Sequence, residues 1–144
     1  MVTTIQAALQ QSELYTDNVE YALIRLPTQA VTAAAGIVAE VGEPFAALLV
    51  DKDEITIVIP TELVTEFSGR IPEDAIADTR YRLITFDVEL APTLIGFMAK
   101  VSEALAAAGV SILPYAAFSR DHLLVPTEQI DLALKTLENL KDSL

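Results

Sequence analysis

The sequence contains no cysteine and no tryptophan, only one histidine, and only nine lysine and arginine residues among its 144 positions. Without cysteine there is no disulfide framework, no thiolate zinc site and no cysteine nucleophile, and nothing indicates an oxidising compartment. The longest apolar runs have seven residues, far fewer than the roughly 18 that span a bilayer. No basic residue precedes Arg25, so the start does not resemble a signal peptide. We therefore expect a soluble, cytoplasmic protein.

The charge is strongly unbalanced, because 21 acidic residues face nine basic ones and give a net charge of −12. Nucleic-acid binding requires clustered lysine and arginine, and the same negative charge is repelled by anionic lipid. We therefore expect no nucleic-acid and no membrane partner, which leaves a small neutral or cationic ligand or another protein. Hydrophobic residues make up 52% of the chain, which predicts a packed core rather than disorder.

Two short internal matches indicate a duplication. The segment Tyr21–Leu26 is echoed by Tyr81–Phe86, and Ile57–Glu62 is echoed by Leu123–Glu128. The separations are 60 and 66 residues and the order is the same, which predicts a repeated module of that length. We expect two units, a more degenerate one over residues 1–70 and a second over residues 71–144.

The second copy has the clearer pattern. Apolar and polar residues alternate over Ile84–Leu90, which predicts a strand with one buried face. Apolar residues then recur at helical spacing over Thr93–Ala108, followed by the capping glycine Gly109. The segments Ser111–Phe118 and His122–Val125 predict a hairpin, and a last helix starts at Pro126 and Thr127.

The first copy has the same order with weaker signals. It comprises a strand Tyr21–Leu26, a helix from about Gln29 to Val41, a hairpin Phe45–Pro60 and a short helix Thr61–Phe67. We expect residues 69–79 to connect the copies and residues 3–14 to form an amphipathic helix. The order β-α-β-β-α with a closing strand predicts an α+β fold of two ferredoxin-like units with antiparallel sheets and helices on one face.

The closing strand of each unit is left open by the sequence. Arg70 and Ile71 are a weak candidate in the first unit, and nothing after Leu140 can serve the second. An exchange of strands between the copies is the remaining possibility.

The second half resembles the ACT domain, a small regulatory module of amino-acid metabolism and amino-acid sensors. The resemblance rests on Ala108–Leu134, AGVSILPYAAFSRDHLLVPTEQIDLAL, preceded by the helix LIGFMAKVSEALAA. Within it, Ala108–Ile112 is similar to the family's junction between the first helix and the second strand. The segment Asp121–Pro126 is similar to a version found in stand-alone tandem-ACT proteins of unknown role. The likeness covers Tyr81–Leu140 well and Tyr21–Phe67 only by topology and repeat.

The resemblance implies a module that binds a free amino acid at an interface between domains and pairs sheets edge to edge. A ligand carboxylate would contact the backbone after the first strand, with a serine facing it. The acidic-basic-Pro-Gly phrase of many ACT turns is missing, and Ala116 and Ala117 replace hydroxyl residues of related sensors. A helix start near Pro92 is by itself compatible with an anion. The expected ligand-binding residues are Leu90, Ala91, Pro92, Thr93, Leu94, Ser111, Asp121 and His122.

Other chemistry has little support in the sequence. His122 could be a catalytic base, a ligand or partner contact, or a structural residue at a strand start, but no nucleophile elbow accompanies it. A lone histidine without cysteine does not fill a zinc shell. Asp51, Asp53 and Glu62 have the spacing of part of a calcium loop, but Thr56 stands where the turn needs glycine. We expect no metal, no cofactor and no catalytic residue.

Two functions follow from the sequence. The first is a non-enzymatic regulatory or sensor protein of tandem-ACT type that binds a small molecule, an amino acid above all, between its halves or across a homodimer. The alternative is a protein-interaction or assembly module whose ACT pocket is vestigial, and a small hydrolase is a remote third. Unpaired sheet edges and the apolar composition favour a homodimer.

Overall fold

Strands and helices alternate along the chain in an α+β arrangement with antiparallel strand pairs. The structure is a computed structural model that describes all 144 residues. None of its helices has the length and apolar character needed to cross a membrane. The elements are α1 (Ile5–Gln11), β1 (Glu13–Tyr15), β2 (Glu20–Leu26), α2 (Val31–Val41), β3 (Ala47–Val50), β4 (Ile55–Pro60), β5 (Ile76–Asp87), α3 (Phe97–Ala107), β6 (Leu113–Ala116), β7 (Asp121–Pro126) and α4 (Ile130–Asp142).

The chain divides into two compact units. The central unit is Val19–Tyr81, and the terminal unit combines Met1–Asn18 with Arg82–Leu144. The sequence predicted a boundary between residues 70 and 71. The observed division differs because β5 continues from one unit into the other and because the first 18 residues join the end of the chain.

The central unit contains the strand, helix and hairpin that the sequence predicts for the first copy. Its strands follow the order β3-β4-β2-β5, where β5 belongs to the unit up to Tyr81. Strands β2 and β4 are antiparallel, with Leu26 opposite Ile55. The β-branched residues of β4 favour a pleated, buried strand. The buried core is Ala22, Ile24, Leu26, Ala34, Ile37, Val41, Ile55, Ile57, Ile59, Phe67 and Ile71.

The end of the first copy differs from the prediction. The short helix Thr61–Phe67 is present as two 3-10 turns, but Arg70 and Ile71 do not form a strand. The closing strand of this unit is the first half of β5, inside the stretch expected to be a connection. Its residues Ile76–Tyr81 are all half-buried or exposed, so the alternation that reveals a strand is absent there.

The terminal unit takes its fourth strand from the start of the chain. Its strands follow the order β1-β5-β7-β6, and β1 is antiparallel to β5 with Glu13 opposite Asp87 and Tyr15 opposite Thr85. The helix expected over residues 3–14 is observed over Ile5–Gln11, and residues 13 and 14 belong to β1 instead. Thr4 caps α1 by accepting a hydrogen bond from the backbone of Ala7 at 3.2 Å, and the chain then turns into β1.

The helices of the terminal unit pack on the inward residues of β5. The rings of Phe86 and Phe97 meet edge to face with centroids 5.2 Å apart, a favourable aromatic geometry. Helix α1 adds Ala8 and Leu9 to this core, and α4 adds every third or fourth residue. The buried set is Ala8, Leu9, Ile84, Phe86, Leu90, Phe97, Val101, Leu105, Val110, Leu123, Val125, Ile130, Ala133 and Leu137.

The first residues of the chain also fix the turn after β5. The Val2 amide donates to the Glu89 carbonyl at 2.9 Å, and the Ala91 amide donates to the Val2 carbonyl at 2.9 Å. Burying such backbone groups requires that each finds a partner. The start of the chain thus holds in place the segment that lines the candidate site.

Candidate functional site

The turn after β5 uses several of its own backbone donors. The Leu90 amide donates to the Ser119 carbonyl at 2.7 Å, and the Leu94 amide donates to the Ala91 carbonyl at 3.0 Å. Pro92 has no N–H, and the Ala91 amide is bound to Val2. The sequence placed a ligand carboxylate on the backbone of this turn. In the structure its amides at 90, 91 and 94 are already engaged, which leaves the Thr93 amide in the turn and a group of further donors beyond it.

Those donors are at the start of α3, which begins at Phe97 rather than at Thr93. Gly96 precedes the helix with a φ of 90° and offers no side-chain cap. The first helical bond runs from the Lys100 amide to the Gly96 carbonyl at 3.1 Å. The amides of Phe97, Met98 and Ala99 therefore have no acceptor within the helix, and together with the helix dipole they favour an anion.

Gly96 is favoured at this point by its backbone angle. Residues other than glycine rarely adopt its positive φ. A Cβ on Gly96 would also lie 2.8 Å from Cδ1 of Ile5 in α1, so the end of that side chain would have to move. A side chain at position 96 would therefore strain the residue that precedes α3.

The β6–β7 hairpin forms the opposite wall. The Ala117 amide donates to the Arg120 carbonyl at 2.9 Å, which closes the turn. Nε of Arg120 lies 2.9 Å from Oδ1 of Asp87, and its Nη1 donates to Oγ of Ser119 at 3.3 Å. The guanidinium therefore ties the hairpin to the end of β5 and is already paired.

These segments enclose an open cavity of about 440 Å³, a size typical of small-molecule sites. The turn after β5, the first residues of α3 and the hairpin tip supply its wall. Of the residues expected to bind ligand, the cavity brings together Leu90, Ala91, Pro92, Leu94 and Asp121, and it does not include Thr93, Ser111 or His122. The lining residues are Leu90, Ala91, Pro92, Leu94, Gly96, Phe97, Met98, Ala99, Ala116, Ala117, Phe118, Ser119, Arg120 and Asp121.

Asp121 is the ionisable group of the cavity with a perturbed pKa. Burial raises the pKa of its carboxyl above 3.8, while neighbouring His122 partly offsets the shift. A half-buried carboxylate gains from an added positive charge, because desolvation has weakened its hydration. Asp121 is therefore suited to accept a hydrogen bond from an ammonium group.

His122 lies beside the cavity rather than in its wall. Its Nδ1 is 2.8 Å from Oγ1 of Thr85 on β5, a cross-strand hydrogen bond. Burial lowers the pKa of the imidazole below 6.5, Asp121 opposes that shift, and Arg120 adds to it. The geometry pairs the histidine with a threonine in the sheet.

Ser111 lies in the connection between α3 and β6, away from the cavity. Its amide donates to Oε1 of Gln129 at 3.2 Å, and Nε2 of Gln129 donates to the Gly109 carbonyl at 3.0 Å. One side chain thus satisfies two backbone groups after the end of the helix. Ser111 is exposed and does not line the cavity.

The acidic residues between β3 and β4 have a structural role in the turn of that hairpin. Oδ1 of Asp51 accepts hydrogen bonds from the amides of Asp53 and Glu54, both at 2.8 Å, and Lys52 pairs with Asp53 at 2.8 Å. Aspartate commonly stabilises turns in this way. No group of three or more metal-ligating side chains occurs in the structure.

Two features of the cavity were missed by the sequence reasoning. The donors at Phe97–Ala99 were missed because Pro92 and Thr93 resemble a helix start, although a late glycine at position 96 was the available signal. The sequence predicts Phe118 as a strand residue, whereas it lies at the hairpin tip with 89% of its surface exposed. Apolar character alone does not distinguish a buried strand residue from an exposed one.

Comparison with known families places the cavity in a recognised module. Residues 76–139 match the model of the ACT domain, which confirms the resemblance seen in the sequence. This segment contains every residue that lines the cavity. No curated protein matches the sequence.

Solved structures share the fold along nearly the whole chain. A Vibrio cholerae protein of unknown function, described as a possible transport protein, is 22% identical with a TM-score of 0.73 and 95% coverage of both chains. An Agrobacterium tumefaciens protein is 25% identical with a TM-score of 0.70, covering 90% of this chain and 89% of its own. The regulatory subunit of aspartate kinase from Thermus thermophilus is 18% identical with a TM-score of 0.63, covering 88% and 95%.

Proposed function

We propose that the chain is a non-catalytic regulatory protein that binds an amino acid beside the start of α3, because residues 76–139 match the model of the ACT domain. The observation that carries the proposal is the pairing of opposite chemistry in one cavity. The unpaired amides of Phe97–Ala99 suit a carboxylate, and Asp121 suits an ammonium group. A free α-amino acid carries both groups.

The carboxylate belongs at the helix start for electrostatic reasons. Charge-assisted hydrogen bonds from backbone amides are roughly twice as strong as neutral ones, and the helix dipole adds to them. The proposed site lies at the strand–helix junction expected from the sequence, but its backbone donors are residues 97–99 rather than residues 90–94. The earlier turn then supplies the apolar floor through Leu90 and Leu94.

The absence of catalysis is part of the proposal. A catalytic histidine needs a nucleophile that the substrate can reach, whereas Thr85, whose Oγ1 lies 2.8 Å from Nδ1 of His122, is buried and does not line the cavity. Ser119, the serine of the cavity, accepts a hydrogen bond from Arg120. The cavity therefore offers binding groups without an activated nucleophile.

The regulatory role is proposed from the architecture. Across the sheet, each unit places its second, third, first and fourth strands side by side in that order, as a ferredoxin-like repeat does: β3-β4-β2-β5 in the central unit and β6-β7-β5-β1 in the terminal unit. We therefore interpret the chain as two ACT-like units, the second of which takes its final strand from β1. The Thermus thermophilus protein of similar fold is a regulatory subunit. We propose that this chain likewise reports the concentration of its ligand to a partner protein.

We propose a homodimer paired through β3, the edge strand of the central unit. Leu48, Leu49 and Val50 are 37%, 54% and 53% exposed, and the strand carries no charge. The Asp51 amide donates to the Glu54 carbonyl, so by antiparallel alternation the backbone groups of Leu48 and Val50 point away from β4. Such an edge is a template for another strand.

The test of the proposed function is binding of the twenty amino acids, measured by thermal shift and then by calorimetry. A ligand at 100 times its Kd adds about 2.7 kcal/mol to the free energy of unfolding. Ala99→Asp should weaken binding about tenfold or more, because the new carboxylate takes the anion position while it also stabilises the helix start. Ala99→Asn has the same shape without the charge and should bind almost normally. No binding by any amino acid, or equal binding by both variants, would refute the site.

A protein-interaction module with a vestigial pocket is the second candidate. Phe118, in the cavity wall, is 89% exposed, and Ile95, between two residues that line the cavity, is 85% exposed; large apolar side chains in solvent are typical of contact surfaces. This function predicts that no amino acid stabilises the protein. The same binding screen therefore separates the two.

A further inference from the structure

Most of the side chains that line the cavity are apolar. Only three of its lining residues have polar side chains, namely Ser119, Arg120 and Asp121. The others are aliphatic, aromatic or glycine, and they come from all three segments of the wall. Once the two ends of an amino acid are bound, most of the side chains left to contact the rest of the ligand are apolar.

The charged residues of the wall have other partners. The Arg120 guanidinium is bound to Asp87 at 2.9 Å and to Ser119 at 3.3 Å, and Asp121 is needed for the α-ammonium group. A charged ligand side chain would therefore be desolvated without a counter-ion, which is unfavourable. A hydroxyl side chain would find only alanine at positions 116 and 117 of the hairpin.

An exposed aromatic side chain supplies an independent argument. Phe118 lines the cavity, yet 89% of its surface faces solvent. Leaving a phenylalanine in water sacrifices most of the stabilisation that burial of its ring would give. An apolar ligand side chain seated on the wall would cover that ring and recover part of it.

We propose that the ligand is an amino acid with an apolar side chain, of the leucine, isoleucine, valine, methionine and phenylalanine class, selected by the wall formed by Leu94, Met98, Ala117 and Phe118. The proposal rests on the proposed function, since it assigns the specificity of the same site. It goes further because amino-acid binding alone does not specify the side chain of the ligand.

The test is a homologous series measured by calorimetry on the full chain. The probes are L-alanine, L-2-aminobutyrate, L-norvaline and L-norleucine, followed by L-leucine, L-serine, L-aspartate and L-lysine. Affinity should rise along the linear series by up to about fourfold for each methylene buried. Leucine should bind at least about tenfold more tightly than serine, aspartate or lysine.

Variants of the wall test the residues involved. Phe118→Ala should weaken leucine binding about tenfold and flatten the homologous series. Ala117→Arg should shift preference from leucine to aspartate by at least about tenfold, because it adds an unpaired guanidinium, whereas Ala117→Gln should not favour aspartate. Val31→Ala removes an apolar side chain, 40% exposed, from the central unit and is the matched control, with no change expected.

The outcomes separate this inference from the function on which it rests. If a charged or hydroxyl amino acid binds more tightly than leucine and Ala99→Asp weakens it, the regulatory site stands and the apolar specificity is refuted. If leucine binds but Phe118→Ala and Ala117→Arg change nothing, the wall is wrong. If no amino acid binds, both proposals fail.

Discussion

Arg120 on the β6–β7 hairpin forms an ion pair with Asp87 at the end of β5, with Nε 2.9 Å from Oδ1. The central unit has a counterpart with the charges exchanged. There the hairpin supplies the acid, Glu54, and the preceding strand supplies the base, Arg25, at 3.7 Å. Glu54 and Arg120 are 66 residues apart, which is the spacing of the second internal match. Both units thus tie the tip of a hairpin to the end of the first strand of the repeat.

The pair in the terminal unit should contribute little to stability and more to the shape of the site. Its side chains are 38% and 52% exposed, so a double-mutant cycle of Arg120→Gln and Asp87→Asn should give a coupling of about 0.2–1 kcal/mol in urea unfolding. Leucine binding should weaken in either single variant, because the hairpin wall is released. Unchanged binding in both variants would show that the wall is held by other contacts.

Gly96 should tolerate no side chain. Gly96→Ala places a methyl group 2.8 Å from Ile5 at a positive φ, and we expect a loss of about 1–3 kcal/mol in the free energy of unfolding. Gly36→Ala is the matched control, since its nearest neighbour would be an arginine nitrogen at an ordinary 3.8 Å and alanine stabilises a helix interior by about 0.5–1 kcal/mol. The two substitutions should therefore have opposite signs in chemical denaturation.

The N-terminal helix should be as necessary as any other part of the terminal core. Leu9 is 2% exposed, and Leu9→Ala should destabilise the protein by about 2–5 kcal/mol through the cavity it leaves. Gln10→Ala in the same helix is exposed and should change stability by less than about 0.5 kcal/mol. Equal effects of the two in urea unfolding would mean that α1 is not packed on the core.

Acidification should destabilise the protein through His122. Because burial lowers the pKa of the imidazole below 6.5, the folded state holds its proton less tightly than the unfolded state. The contribution of the neutral ring is fully present above pH 6.5 and is lost as pH falls from 6.5 through the lower folded pKa.

Asp121 acts in the opposite sense and at lower pH. Its raised pKa means that the folded state favours the protonated carboxyl, so the contribution of Asp121 to stability declines as pH rises above 3.8.

Between about pH 7.5 and pH 5.5, His122→Asn should therefore flatten the change in the free energy of unfolding. This comparison leaves unchanged the charged residues beside the imidazole and its hairpin, namely Arg120, Asp121 and Asp87. A slope unchanged by the substitution would assign the titration to another group.

The assembly proposal gives a mass prediction. The other sheet edges are protected, since β6 contains Pro114 and β1 has only three residues, so β3 is the edge open to pairing. Light scattering should give twice the chain mass of 15.5 kDa, and Leu49→Lys should give the monomer mass. Leu132→Lys, a substitution of a leucine 45% exposed on α4, should remain dimeric. A monomeric parent chain would contradict the proposal.

The alternation of residue types predicts the second half of β5. Ile84 and Phe86 alternate with polar residues in the sequence and lie together in the terminal core, so their strand was predictable, although Leu83 and Thr85 on the other face are buried too. The same reasoning failed at Ile76–Thr79, where no residue of the strand is fully buried. A strand whose faces are equally half-covered has no alternation to detect.

The fourth strand of the terminal unit was beyond any local signal. Glu13–Tyr15 pairs with residues 70 to 74 positions away, and three residues are too few to show a period. The cavity was predicted in part, because the turn and Asp121 come from segments adjacent to recognised strands. Its helix-start donors follow Gly96, which precedes α3 with a positive φ four residues after Pro92, and propensity favours the earlier start at the proline.

The placement of β1 dictates an order of events during synthesis. Residues 1–18 are made before the central unit, but their partners in the terminal unit are made after it and include Leu137. The central unit, Val19–Tyr81, is therefore complete before residues 82–137 exist. Domains generally fold as units while translation proceeds. We therefore expect the nascent protein to carry a folded central unit while Leu9 of α1 stays uncovered until the segments after Tyr81 have been made.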